Sequence, residues 1–293
     1  MADDLINVLL QTTIPTAADD WSIKRFGLLA ALLRNHRDDH GRVVFNVTTR
    51  DRDPLGQPDS VLSTIDNSNF DELWLFAVDA GDGLTIADCE AISRFRRSGR
   101  GLLVTRDHMD VGSSVYALGG VGKAHYFHSR NLEPDPARRT VDDPFSTHIS
   151  WPNFHSGANG DFQKIEVAGD THPVVVNPRS PTGAIRYLPS HPHEGAVGAP
   201  TNENARVIAV GTSKVTARVF NVAVAFEPGS TGGPAIADST FHHFADYNWD
   251  PSSGSPSFVD EPPGDAISRT PEALADAHRY SCNIAYWLAR RSR

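Results

Sequence analysis

Only two cysteines, Cys89 and Cys282, occur in 293 residues, and they form no C-x-x-C pair. Neither a disulfide framework nor a cysteine-rich zinc site is therefore expected, and a reducing compartment fits. Basic residues are also in short supply. The 27 Lys and Arg against 36 Asp and Glu give a formal net charge of −9, with a pI near 5.8. That balance argues against the cationic face that nucleic acid or an anionic membrane requires, so neither is an expected partner. The one basic cluster, Ala289-Arg290-Arg291-Ser292-Arg293, reads as a solvated helix end. Long apolar runs are missing as well. The opening MADDLINVLLQTT has an apolar run of about six residues, far below the roughly 20 of a membrane span, and carries acid where a signal peptide needs base. A cytoplasmic protein is the expectation. No G-x-S-x-G elbow is present for a serine hydrolase. Gly119-Gly120-Val121-Gly122-Lys123 lacks the spacing and trailing Ser/Thr of a phosphate loop and reads as a glycine turn.

What is present is an α/β pattern organised around Phe70 to His108. Leu73 to Val78 is a continuous apolar run, suited to a parallel strand covered on both faces. Thr85 and Asp88 make a capping-box start for a helix with Ile86, Cys89, Ile92 and Phe95 inward, arginines in its last turn, and Gly99 at its end. Gly101 to Thr105 is the next strand, so Arg106-Asp107-His108 leaves a parallel sheet at its carboxyl edge, where open α/β sheets bind ligands. Leu5 to Leu10 reads as the first, central strand, followed by a helix capped at Asp20 or Ser22 and running to His36, and by a strand at Val43 to Val47. Gly112 to Leu118 could be helical.

From about 119 to 204 Gly, Pro, His and Asn dominate, with strand candidates only at His172 to Val176 and Ala184 to Leu188. This reads as a loop-rich insertion over the sheet edge within a single domain spanning 1–293, because it has too few apolar residues for its own core. Arg206 to Gly211, Arg218 to Phe226 and Pro234 to Ala237 are strands, and a helix starting at Thr270-Pro271-Glu272 closes the chain with Leu274, Ala277, Ser281, Ile284 and Leu288 as its stripe.

Three clusters could carry chemistry: Arg106-Asp107-His108, Ser190-His191-Pro192-His193-Glu194, and Asp238-Ser239-Thr240-Phe241-His242-His243. If the sheet is parallel through their strands, all three meet on one rim. Histidine with carboxylate serves both acid/base catalysis and divalent metal binding, because imidazole titrates near neutrality and a carboxylate on its second nitrogen fixes the tautomer. His242 and His243 are adjacent, so they should point apart. Asp79 and Asp82 read as turn formers with Gly81 and Gly83. Phe244 reads as core. For Trp151, Tyr247 and Trp249, both core packing and stacking on a sugar ring stay open.

The passage "GLT...E...F.RSG.GL" with its histidine after the strand, the segment Gly233 to His242, and the closing Asn283-Ile284-Ala285-Tyr286-Trp287-Leu288-Ala289 resemble the ThuA-like (trehalose-utilisation) branch of the class I glutamine amidotransferase-like superfamily. The resemblance covers about half of the chain, mainly its two ends. It implies a flavodoxin-like three-layer sandwich with a mostly parallel sheet, a site at the carboxyl edge, and by analogy a carbohydrate-derived substrate. The amidotransferases use a cysteine on the sharp turn after the strand, where this chain has Asp107 and His108, while Cys89 lies inside a helix. Glutaminase activity is therefore not expected.

The reading that combines these is a hydrolase or acid/base enzyme acting on a small polar molecule. Its catalytic groups are His108, His242, Asp107 and Glu194, with Arg106, His191, His193, Asp238 and His243 binding substrate. His108 and His242 could instead ligate a divalent metal such as zinc. The alternative is a non-catalytic module that binds a small molecule or a partner and retains the fold without the nucleophile.

Overall fold

The computed structural model describes residues 5–139 and 141–291. The leading acidic residues and the last two of the basic cluster lie outside them. Eight strands form the main sheet: β1 (Ile6–Thr12), β2 (Phe45–Arg50), β3 (Glu72–Phe76), β4 (Gly101–Thr105), β5 (Glu166–Val167), β6 (Ala205–Thr212), β7 (Val219–Phe226) and β8 (Ala235–Asp238). Their spatial order is β2-β1-β3-β4-β8-β7-β6-β5. The first five in this order are parallel, and the last three are joined antiparallel. The parallel part has the flavodoxin-like doubly wound order. β1 is interior but second from the edge, so it is not the centre of the sheet; β4 and β8 are.

Every residue of β3 and β4 is buried, because helices cover both faces. On one face α1 (Gly27–Asn35) and the closing helix α3 (Pro271–Leu288) pack over Val8, Leu10, Trp74, Phe76, Leu103 and Ile236. On the other, α2 (Ile86–Arg97) packs over Leu73, Leu75, Leu102, Val104 and Ala237. No helix among the described residues is long and apolar enough to cross a membrane.

Local signals explain most elements. α2 begins with the expected reciprocal capping box of Thr85 and Asp88. Ile86, however, is 78% exposed. Steps of three residues turn a helix about 60° short of a full circle, so Ile86 cannot share a face with Phe95. The segment before α1 is a 3-10 turn at Ile23–Phe26, so the helix starts later than expected. Gly112 to Leu118 is likewise 3-10 at Ser113–Ala117. The glycine run Gly119–Lys123 is a short helix and not a turn, with Val121 in the core. His172 to Val176 is not a strand: Pro173 and the bond from the Val174 amide to His172 Nδ1 bend it into a 3-10 turn. Asp79 accepts from the Gly81 amide as a turn former.

The condition that the sheet be parallel through all three cluster-bearing strands is met by the first and third and fails for the second. β6 and β7 form an antiparallel hairpin, and the strand before the second cluster, Tyr187–Pro189, pairs with Phe162–Lys164 outside the main sheet. The second cluster reaches the rim through backbone contacts instead. Residues 154 and 194 exchange both amide bonds, and the Gly195 amide donates to the Ser239 carbonyl at 3.1 Å. A Cβ at Gly195 would stand 2.5 Å from the Asp107 carbonyl oxygen, so only glycine permits this approach.

Candidate active site

The rim assembles from β4 and β8, which run side by side in parallel with Thr105 opposite Asp238. Their loops therefore leave the sheet as neighbours, bringing Asp107 and His242 together. The β4 loop turns sharply: Met109 has φ of 45°, and Gly112 adopts φ of 74° with its amide on the Asp79 carbonyl at 2.6 Å. A non-glycine residue at such φ is an uncommon, strained conformation that surrounding structure must hold. Arg106 supplies that hold. Its guanidinium donates to the carbonyls of Val111 (3.1 Å), Tyr126 (3.0 Å) and Met109, and lies over the Phe127 ring. The side chain is fully buried, so the expected substrate contact of Arg106 is replaced by a structural role.

Asp107 is the centre of the cluster. Its Oδ2 lies 3.1 Å from His108 Nδ1, 3.3 Å from His191 Nε2 and 3.7 Å from His242 Nε2, while Thr240 Oγ1 donates to Oδ1 at 3.2 Å. The rings of His191 and His242 stack with centroids 3.5 Å apart and an angle of 9°. Burial is the largest influence on both imidazoles and lowers their affinity for a proton, His191 to about 4 and His242 well below the ordinary range. Both are therefore neutral at pH 7. A neutral imidazole pair facing a carboxylate offers lone pairs on all sides, which is the donor set of a cation.

Three groups have donor atoms within 4.8 Å of one another and could hold an ion: Asp107/His191/His242, His108/His191/His193, and Asp143/His193/Glu261. The first fits best. Its two long separations exceed the about 2.7–2.9 Å of charge-assisted hydrogen bonds. The 3.3 Å separation lies within, and the 3.7 Å one just beyond, the roughly 3.3–3.6 Å between ligands set tetrahedrally at about 2.0–2.2 Å from an ion, and the parallel stack of the two rings would have to open for both Nε2 lone pairs to meet one ion. In the third group Asp143 Oδ2 lies 2.5 Å from His193 Nε2 and Glu261 Oε1 lies 3.2 Å from it. The former is a hydrogen bond, so these carboxylates orient His193 and leave its other nitrogen as a donor.

Behind the rim is a second buried network. His243 Nδ1 donates to Asp238 Oδ1 at 2.7 Å, and Tyr280 donates to Asp238 Oδ2 at 2.7 Å. Glu194 accepts from Ser239 at 2.8 Å and from Ser156 and Gln163, and lies 3.7 Å from His243 Nε2. Burial is the main cause that pushes the Glu194 carboxyl up to about 7, against the opposing His243 charge and hydroxyl bonds. Burial lowers His243, but the Asp238 and Glu194 charges reverse the sign and raise it.

The three sequence clusters are thus brought together, but not all in the expected places. His108, at 22% side-chain exposure, is the imidazole of the set that reaches solvent, with Asp107, His191, His193 and His242 beneath it. Asp238, His243 and Glu194 sit one layer further in, with no exposed surface to offer a substrate. His242 and His243 do point apart. Phe244, Tyr247 and Trp249 are all buried. Sequence reasoning missed Asp143, Glu261, Asn159 and Asn248, which lie in the insertion and in turn-rich segments with no motif to mark them. A groove of about 490 Å³ lined by Leu28, Leu32, Trp249 and His278 lies against α1 and α3 and holds none of these donors.

Fold and site together define a flavodoxin-like α/β protein with a histidine-rich centre at the carboxyl edge of its sheet. No family model and no curated protein matches the chain. Among solved structures it is similar to a protein of Parabacteroides merdae named as ThuA-like, at 12% identity over 89% of this chain and 96% of that one, TM-score 0.47. It is also similar to the glutaminase domain of Trypanosoma brucei CTPS with bound acivicin, at 12% identity over 98% and 95%, TM-score 0.46. Agd3, named a carbohydrate deacetylase, is similar at 11% identity over 80% of this chain and 29% of that one, TM-score 0.39. The likeness is one of fold.

Cys89 and Cys282 are buried in helices, and burial pushes both thiols up to about 12. Neither can supply a thiolate.

Proposed function

We propose that this chain is a metal-dependent hydrolase of a small polar molecule, with Asp107, His191 and His242 holding zinc. The observation that carries this is the convergence of two neutral imidazole nitrogens and one carboxylate oxygen at separations of 3.3 and 3.7 Å. Imidazole with carboxylate suits zinc, and three protein ligands leave the fourth position for water. Zinc lowers the pKa of such a water to about 7, making hydroxide available at neutral pH. His108, partly exposed and paired to Asp107, faces the side from which a substrate would enter and can exchange protons with it. The polar lining favours a polar substrate, and the resemblance of Phe70–His108 and Gly233–His242 to ThuA-like proteins favours a carbohydrate-derived one.

The test is elemental analysis of protein purified without a histidine tag, with hydrolysis assayed on acylated and glycosidic sugar derivatives before and after chelation. About one zinc per chain and turnover that is lost on chelation and restored by zinc are expected. A metal-free protein whose turnover survives chelator would leave the Asp107–His108 pair as an acid/base couple and remove the metal reading.

A further inference from the structure

We propose that Asn248, a residue with no part in the ligand set, is the positioning residue that fixes the tautomer of both histidine ligands at once. The inference rests on the metal reading above for its functional meaning, but its structural content is independent of it. Asn248 is fully buried in the turn Asp246–Trp249. Its Nδ2 donates to the Ser190 carbonyl at 2.9 Å and to Asn159 Oδ1 at 2.8 Å, and its Oδ1 lies 2.7 Å from His242 Nδ1.

A backbone carbonyl only accepts, so the Ser190 contact decides which end of the Asn248 amide is nitrogen. The oxygen must then face His242 Nδ1. That nitrogen therefore carries the proton, and His242 Nε2 keeps its lone pair.

The same logic passes to the second ligand. The other Asn248 N–H requires the oxygen of Asn159, and that oxygen also lies 2.9 Å from His191 Nδ1. His191 Nδ1 is thereby protonated, leaving its buried Nε2 with a lone pair and no hydrogen-bond partner. One carbonyl thus determines two amides, and the amides determine two imidazoles. Either histidine in the opposite tautomer would turn an N–H toward the ion and cease to be a ligand. The Ser190 carbonyl belongs to the loop that carries His191, so the loop's placement and the tautomers are set by one contact.

The prediction is an asymmetry between two identical chemical changes. In Asn159→Asp both carboxylate oxygens accept, so the bonds from Asn248 Nδ2 and His191 Nδ1 persist. In Asn248→Asp the new oxygen faces the Ser190 carbonyl and Asn159 Oδ1. Asn159 must turn its nitrogen inward, and His191 then switches to Nε2–H. Both variants add the same formal charge, beside His191 in Asn159→Asp and beside His242 in Asn248→Asp, so the tautomer readout is what isolates orientation.

The experiment uses the full chain labelled with 15N-histidine and stripped of metal. Two-bond nitrogen–proton NMR correlations report each tautomer, with His191 and His242 assigned from single substitutions, and zinc titration then gives the affinity. Expected are Nδ1–H for both residues in the wild type and in Asn159→Asp, and Nε2–H for His191 in Asn248→Asp. The latter's zinc Kd should be about 10–100-fold weaker than that of Asn159→Asp. Nε2–H on either histidine in the wild type, or equal zinc affinity in the two variants, overturns the inference. Should Asn248→Asp fail to fold, the wild-type spectrum still decides. Wild-type tautomers as stated in a chain that binds no zinc would remove the metal reading and leave the role of Asn248 in place.

Discussion

Replacing Asp107 by Asn should separate the stability of the fold from its affinity for metal. In the metal-free chain, Asp107 Oδ2 faces the lone pairs of His191 Nε2 and His242 Nε2 at 3.3 and 3.7 Å, with no proton between them. The amide is isosteric. Its oxygen can still accept from Thr240, and its nitrogen then points at the two imidazoles and can donate to both lone pairs. The amide gains up to two neutral hydrogen bonds of about 0.5–1.5 kcal/mol each and loses the bond between Oδ2 and His108 Nδ1, so the stripped variant should melt within a few degrees of the stripped wild type. Zinc reverses the order. Ligand at 100 times its Kd stabilises the native state by about 2.7 kcal/mol. At roughly 2–4 °C per kcal/mol for a chain of this size, that raises the wild-type Tm by about 5–10 °C. The variant, with an amide in place of the charged ligand, should show almost no shift. Differential scanning fluorimetry on chelator-stripped protein, with and without zinc, measures all four values. An equal zinc shift in both proteins would refute the assignment of Asp107 as a ligand. A stripped variant several degrees less stable than the stripped wild type would refute the lone-pair arrangement.

Two further outcomes follow from the buried charges. Glu72 is fully buried with one partner, the Trp74 indole N–H at 2.7 Å, and burial raises its carboxyl well above the ordinary 4.5. Its contribution is present in full below that ordinary value and is lost as pH rises through the raised folded one. Wild-type Tm should therefore fall as pH rises above about 4.5 relative to Glu72→Gln, which keeps the acceptor for Trp74; parallel pH profiles would contradict this. Arg106→Lys replaces a fork that serves three carbonyls by a single ammonium. The urea midpoint should reflect a loss of more than about 2 kcal/mol, and an unchanged midpoint would show that the Met109 turn holds without it.

The parallel half of the fold was legible because its signals are local. Six adjacent apolar residues from Leu73, a capping box at Thr85–Asp88 and a proline at the first turn of the last helix each depend on neighbours only a few positions away. The clusters at 106–108, 190–194 and 238–243 were legible for the same reason: they are dense in His and acid within a few residues. The direction of the β6–β7 hairpin was not legible, because an apolar run does not state the direction of its partner.

Which members of each cluster form the site was decided only by tertiary structure. Arg106 looks like a substrate ligand next to Asp107, yet it is turned into its own loop by three carbonyls. His242 and His243 are adjacent and chemically identical, yet one faces Asp107 and the other Asp238. Asn248 and Asn159, 89 residues apart, carry no mark in the sequence, because an amide acquires its meaning from the groups at its two ends. Local propensity sets where strands and helices begin. The direction of a side chain on an irregular rim, and with it the protonation pattern of the histidines, depends on contacts between segments that meet only once the sheet has formed.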